Sequence, residues 1–306
     1  MWKTVLIGNE SILTAENNWL VVSRPDKLTR LPIDDVYSVV IDDKRCRLSA
    51  ACMNALTQAG AHILLCDDKH YPATIVLPTA RHYRADAVLY EQIAVSEELR
   101  AQLWQSVVRA KIKNQISALK LCGVPADRWE DVPPYIDKVL PGDKRNAEAV
   151  VARKYFRALF GPVFRRTDED VTNAALNYGY AILRSAMAKS LAAYGCNCAI
   201  GIHHVGEGNA FHLADDLMEP LRPLVDYWVD SHIEELFDTL TLSNRRELFD
   251  LVNRTVVFCG KKMRVRYAID RYAASYVKAI HEKSPEHLSF PGLLPFDTVP
   301  EDEEDD

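Results

Sequence analysis

The sequence has no apolar run of membrane-spanning length, and its start, MWKTVLIGNE, lacks the basic segment and apolar core of a secretory leader. Both absences argue against a membrane partner and predict a cytoplasmic protein. Paired cysteines are missing too. The seven cysteines, at 46, 52, 66, 122, 196, 198 and 259, are scattered, odd in number and free of any CxxC spacing, so free thiols are expected rather than a disulfide framework. GCNCAIG could be half of a thiolate metal site, but no second pair completes it. No internal repeat is present. An excess of one charge is also absent once the last six residues, EDEEDD, are set aside: the other acids then balance the 37 bases, and the net charge of −6 belongs to the terminus.

What is present is a chain of 306 residues, 48% hydrophobic and 26% charged, enough for one large domain or two ordinary ones. The first eighty residues carry short strand-like runs (TVLIG, SILTA, WLVVS, VYSVVIDD, AHILLCDD, ATIVLP), a turn signal at ENN, and one helix, SAACMNALTQAG, ended by Gly60. This pattern predicts a small antiparallel β domain whose strand edges invite pairing with a second copy. Beyond Ala85 the periodicity becomes helical, with stretches up to Gly123 and over 146–160, 170–194, 213–240 and 265–283. The fold class is therefore α+β: a β-rich domain over 1–80, a linker over 81–90, a larger all-α domain over 91–288, and a flexible acidic tail over 289–306.

Charge is unevenly placed within the neutral body. Residues 144–166 hold seven bases and one acid, and residues 245–271 hold eight bases and three acids. Each cluster alone reads as a solvated helix face; the two together suit a polyanionic partner.

Three sites could carry chemistry. On a helix, Glu148 shares a face with Val151, Ala152, Tyr155 and Leu159, so a carboxylate lies in line with a core stripe. It could instead be a first-turn acid favouring the helix dipole, though Asn146 is the better cap candidate. Asp215, Asp216 and Glu219 point away from the stripe Leu217, Leu221, Leu224 and Trp228, and crowd three negative charges into five residues. They form either a solvated acidic face or a shaped site. Pro220 and Pro223 favour the second, because neither can donate to the carbonyls of Asp216 and Glu219. His203 and His204 precede a loop with Gly206 and Gly208 that can fold back beside this helix. A shared Mg²⁺ or Mn²⁺ would relieve the repulsion among the carboxylates, and a mixed Glu/His set tolerates Mn²⁺. Without a metal, the same residues would belong to a helical scaffold that only binds nucleic acid.

NAEAVVARKYF, NAALNYGYAILRSAMA, GIHH and NAFHLADDLMEPLRPLVD closely resemble the CRISPR-associated adaptation integrases, the Cas-one family, and in particular its type II branch. The resemblance covers essentially the whole chain. It implies a metal-dependent DNA endonuclease and integrase that inserts short foreign DNA segments into a CRISPR array by transesterification. It implies a metal triad on Glu148, His204 and Glu219, with His204 preferred to His203 by its spacing to Glu219, and Asp216 as an auxiliary acid. It further implies a homodimer formed through the N-terminal domain, and a small companion, Cas-two, that joins two such dimers. On this reading double-stranded DNA is held by the basic stretches, with Arg145, Arg153, Arg245 and Arg246 as candidate backbone contacts.

Overall fold

The computed structural model describes residues 3–78 and 84–301. The chain divides into two compact units, Met1–Arg81 and His82–Asp306. In the first, β1 (Lys3–Ile7) is followed by the hairpin of β2 (Ile12–Glu16) and β3 (Trp19–Ser23). Asn17 and Asn18 close this hairpin with φ of 49° and 66°, the left-handed pair that a two-residue primed turn requires. The unit continues with β4 (Leu28–Pro32), β5 (Val36–Ile41), β6 (Arg47–Leu48), α1 (Ala50–Gln58), β7 (His62–Cys66) and β8 (Pro72–Val76). Ser49 starts α1 by accepting from the Cys52 N–H at 3.1 Å.

Two four-stranded sheets result, ordered β1-β5-β7-β8 and β4-β3-β2-β6. The expected all-antiparallel arrangement is corrected here. β5 pairs in parallel with both β1 and β7, and β2 with β6. The cause is α1: parallel neighbours must begin at the same end, so β5 and β7 need a crossover, which this helix supplies. Leu13, Leu20, Val36, Val39, Leu56 and Ile63 from both sheets and the helix make one buried core.

The second unit is mostly helical. α2 (Ala85–Ile93) occupies most of the stretch that reads as a linker, and residues 79–83 lie outside the described residues. α3 (Glu97–Leu121) is capped by Ser96, which accepts from the Leu99 N–H at 3.2 Å, with Glu97 and Glu98 at the positive end of its dipole. After the single turn α4 (Tyr135–Lys138) come α5 (Ala147–Phe160) and α6 (Val171–Ala193). The helix expected over 213–240 is broken: α7 (His212–Met218) gives way to a tight turn at Glu219–Leu221 before α8 (Arg222–Ser231). Pro220 and Pro223 lack the N–H that a regular helix needs, so they break it there and lie where the missing donor costs least. α6 and α8 meet closely at Gly179, where a Cβ would stand 2.4 Å from Val225 Cγ1. Trp104, Tyr155, Tyr178, Trp228 and Tyr272 fill the buried interior.

α9 (Leu242–Asp250) is followed by β9 (Thr255–Phe258), β10 (Lys261–Arg264), α10 (Val265–His281) and β11 (Pro291–Leu293). The larger half is therefore not all-α, because β10-β9-β11 form an antiparallel sheet beside the helices. Cys259 and Gly260, at φ of 49° and 81°, make the tight turn between β9 and β10. The stretch expected to be a flexible tail is ordered through Glu301. Leu293 is buried, the Phe296 ring stacks on Tyr227 at 4.1 Å, and the Glu301 N–H donates to the Lys262 carbonyl at 3.1 Å. Its proline content misleads because β11 is an edge strand, where Pro291 forfeits no ladder bond that the sheet requires. Among the described residues no helix is long and apolar enough to cross a membrane.

Candidate active site

The first part of the site is set by a buried carboxylate. Asp216 of α7 has no solvent exposure and gathers the backbone N–H groups of Ile202, His203 and His204 at 2.6, 2.8 and 3.2 Å. It also holds the His204 ring through Nδ1. A buried carboxylate is tolerated only with such a full set of donors. The chain can wrap this closely because residue 201 is glycine: a Cβ there would lie 2.5 Å from the His204 carbonyl and 2.9 Å from Asp216 Oδ2. Asp216 is thus the residue that orients His204, and with Nδ1 occupied, Nε2 is the nitrogen left for an electrophile. The hydrogen bond to Asp216 holds the His204 imidazolium above its usual range against partial burial, with Glu219 and Glu148 adding attraction. His203 lies flat on the Trp104 indole at 4.3 Å, whereas His204 meets that indole edge-on at 5.6 Å.

The second part is a charge cluster. Glu219, 3% exposed in the turn between α7 and α8, meets Lys111 of α3 through Oε2 at 2.5 Å and Arg222 through Oε1 at 3.0 Å. Its Oε2 makes no hydrogen bond of regular geometry, so the ammonium contact is all it has among the described residues. Lys111 donates to Glu148 as well, at 2.6 Å. Burial pushes the Glu219 carboxyl up, but Lys111 and Arg222 outweigh it and keep the group ionised below its usual range. Lys111 is pulled down by burial and more than restored by Glu219 and Glu148. Glu148 is placed by Asp143, whose carboxylate accepts from the Ala147 and Glu148 N–H groups, both at 2.9 Å. Asn146 holds the N-cap position of α5 in a left-handed turn (φ 52°) but makes no side-chain cap bond; Asp143 accepts the helix's first N–H groups in its place.

The acidic triplet is therefore not a solvated face. Asp216 and Glu219 are interior, and Asp215, half-buried, accepts from Asn209 at 2.8 Å. As the side chains stand, no three His, Cys, Asp or Glu among the described residues are gathered tightly enough to hold an ion. The donor set nonetheless fits a divalent cation. Two carboxylates already share one positive charge, a third ligand type stands oriented beside them, and oxygen with imidazole suits Mg²⁺ or Mn²⁺. Two buried donors near this centre, the Tyr272 hydroxyl and the Trp104 indole N–H, make no hydrogen bond among the described residues, which leaves polar capacity for a hydrated guest.

The candidate DNA contacts separate. Arg145, Arg153 and Arg246 are exposed. Arg245 is buried and donates to the Leu240 carbonyl at 2.5 Å, so it is corrected from a backbone contact to an internal brace. Arg166 and Arg266 are likewise committed, to Asn173 and Asn177 and to Asn253. Charge counting overstates the basic surface for this reason.

Lys111, Arg222 and Trp104 are absent from the sequence-based site, and Arg222 and Trp104 carry no local signal of function. One sign was readable: Lys111 stands seven residues after Trp104, in line with an apolar stripe, the same oddity that singles out Glu148.

Comparison with known proteins decides the family. The model of the CRISPR associated protein Cas1 family matches residues 4–240. The chain belongs to the Cas1 family. A CRISPR-associated endonuclease Cas1 of Neisseria meningitidis serogroup C is 35% identical over 298 residues, covering 96% of this chain and 97% of that one. Among solved structures, a casposase bound to its integration product superposes with a TM-score of 0.76 at 19% identity, over 99% of this chain and 95% of the casposase. A chain of a Cas6-RT-Cas1–Cas2 complex gives 0.73 at 18% identity, over 96% of this chain and 36% of that longer one. At these identities the two structures speak for the fold: sheets first, helices mostly after, as in other members of the Cas1 family.

Proposed function

We propose that this Cas1-family chain is a divalent-metal-dependent DNA endonuclease and integrase that inserts short foreign DNA segments into a CRISPR array in the cytoplasm. Glu148, His204 and Glu219 are its metal ligands. Asp216 is not an additional acid but the group that fixes the His204 tautomer. The observation that carries the reading is the meeting of Glu148 and Glu219 on one positive charge with an oriented imidazole alongside. The Neisseria relative is named an endonuclease and the casposase is described with an integration product, which supports the same chemistry.

In the proposed reaction the 3′-oxygen of an incoming strand bonds to an array phosphorus, and the array's own 3′-oxygen leaves and takes up a proton. Water in place of the 3′-hydroxyl gives strand cleavage. Bound Mg²⁺ or Mn²⁺ would supply charge stabilisation at the phosphoryl oxygens. Glu148 and Glu219 offer it oxygens, and His204 offers Nε2. Arg145, Arg153 and Arg246 hold duplex backbone as point charges, so binding weakens as salt rises. Dimerisation through the N-terminal unit and assembly with a Cas2-type companion complete the reading; the Cas6-RT-Cas1–Cas2 neighbour supports the companion.

The test compares DNA carrying free and blocked 3′-hydroxyls in the presence of Mn²⁺. Joining should require the free hydroxyl, and Glu148→Ala or His204→Ala should abolish both joining and cutting with DNA retention largely unchanged. Wild-type activity in both variants would show that the centre lies elsewhere.

A further inference from the structure

The group that holds the two glutamates together is Lys111, for which the metal-dependent reading has no role. Its side chain is 10% exposed and its ammonium touches Glu148 Oε1 at 2.6 Å and Glu219 Oε2 at 2.5 Å. It reaches them from α3, a helix that provides neither carboxylate, across 37 and 108 positions of chain. Buried lysines are rare because desolvating an ammonium is costly, and they occur paired. Here two carboxylates are bridged, and Arg222 completes a cluster of two negative and two positive charges.

We propose that Lys111 is a built-in counter-ion: its ammonium occupies the cation position between Glu148 and Glu219, holds both ligands in place, and must be displaced for a divalent ion to bind. This rests on the metal-dependent reading above and deepens it. Mutual exclusion follows from size and charge. An ion ligated by both carboxylates needs oxygens at about 2.0–2.2 Å, and it cannot share that position with an ammonium already contacting the same oxygens. The cluster is neutral with Lys111 in place, so adding a divalent charge without moving the ammonium would leave a buried positive excess. The four-carbon stem allows the ammonium to swing aside, whereas Asp143 fixes the Glu148 backbone and Arg222 holds the Glu219 carboxylate. Lys111 is therefore a positioning residue that preorganises two ligands and competes with the ion they bind. The affinity of the site is the difference between those two cations.

The experiment uses the full chain without DNA, as wild type, Lys111→Met and Lys111→Arg, and measures Mn²⁺ binding by calorimetry together with melting temperature with and without Mn²⁺. Lys111→Met should melt several degrees below wild type in chelator, because Glu148 then loses its cation and Glu219 keeps only Arg222. It should bind Mn²⁺ at least about tenfold more tightly and recover its lost melting temperature when Mn²⁺ is added. Lys111→Arg, which keeps the charge, should stay near wild type in chelator. A Lys111→Met variant that binds Mn²⁺ no more tightly, or stays destabilised when Mn²⁺ is present, makes Lys111 an ordinary internal salt bridge and overturns the proposal. Silence of both proteins toward Mn²⁺ removes the metal-dependent reading itself and the proposal with it; binding by Lys111→Met alone supports the proposal. If Lys111→Met does not fold, Lys111→Gln, which keeps a hydrogen-bond donor without charge, is read by the same measurements.

Discussion

Two buried carboxylates lie seven residues apart, about two helical turns along one segment, yet their surroundings are opposite. Glu219 is met by cations, Lys111 and Arg222, and its carboxyl is held below the usual range despite burial. Asp226 of α8, 1% exposed, is met by neutral hydroxyls: Tyr155 donates to its Oδ2 at 2.9 Å and Tyr180 to its Oδ1. Burial there pushes the carboxyl up to about 6, and the phenols only partly offset it. The first arrangement keeps a buried negative charge ionised, as the proposed metal site requires. The second satisfies a carboxylate's lone pairs with groups that bring no charge, as a structural brace does. Burial of an acid alone does not mark a functional site; the sign of what surrounds it does. The two clusters touch, since the Arg222 guanidinium lies over the Tyr180 ring at 4.9 Å.

Removing charge at each carboxylate separates the two roles. The largest effect belongs to Glu219→Gln, which keeps volume and removes the charge of the proposed ligand. Cutting and joining should fall by about a thousandfold or more, with DNA retention within a few-fold of wild type. An activity close to wild type would place Glu219 with Asp226 as a brace. Next comes Asp226→Ala, which strands two buried phenol hydroxyls and should cost about 2–5 kcal/mol of stability in denaturant melts. Residual activity per folded molecule should stay within about tenfold, the loss arriving through Tyr180 and Arg222. A folded, fully stable Asp226→Ala protein would deny the brace. A smaller contrast is available between the neighbours Arg245 and Arg246. Arg246→Ala should weaken DNA binding about two- to fivefold and lower the salt slope by about one, whereas Arg245→Ala should leave the salt slope alone and lower stability.

These pairs also show what could be read from the sequence. Helices with one sustained apolar stripe, such as α5, α6 and α10, emerge within a few residues of their expected limits because periodicity is local. The Asn17–Asn18 turn emerges because asparagine accepts the left-handed backbone. β4, β6 and the β9–β10 hairpin escape, since LTRLP, RL and KKMR are short, charged and shaped by pairing partners far along the chain. Glu148, His204, Asp216 and Glu219 are legible in the sequence, but not the burial of Asp216 or its service to His204, which depends on Gly201 and a loop closing over α7. Lys111 and Asp226 escape for the same physical reason. A charged residue on a helix reads as surface until the helices opposite it are known, and the partners of both are tens of residues away.

A last effect concerns pH, and its sign distinguishes the two carboxylates again. Asp226 has an unfolded value near 3.8 and a folded value of about 6, so between these pH values the folded protein binds more protons than the unfolded one. Stability contributed by the protonated group is complete below the unfolded value and is lost as pH rises through the folded one. Wild type should therefore lose stability relative to Asp226→Asn across that window, by at most about 1.4 kcal/mol per pH unit. Glu219, shifted downward, works in the opposite sense: its contribution is present above its unfolded value and is lost as pH falls through the folded one. Denaturant melts of wild type and Asp226→Asn from pH 4 to pH 7 isolate the first term, because everything else that titrates is common to both proteins. Parallel stability curves would mean that the Asp226 carboxyl is ionised throughout, and that the two buried acids differ in their neighbours but not in their charge.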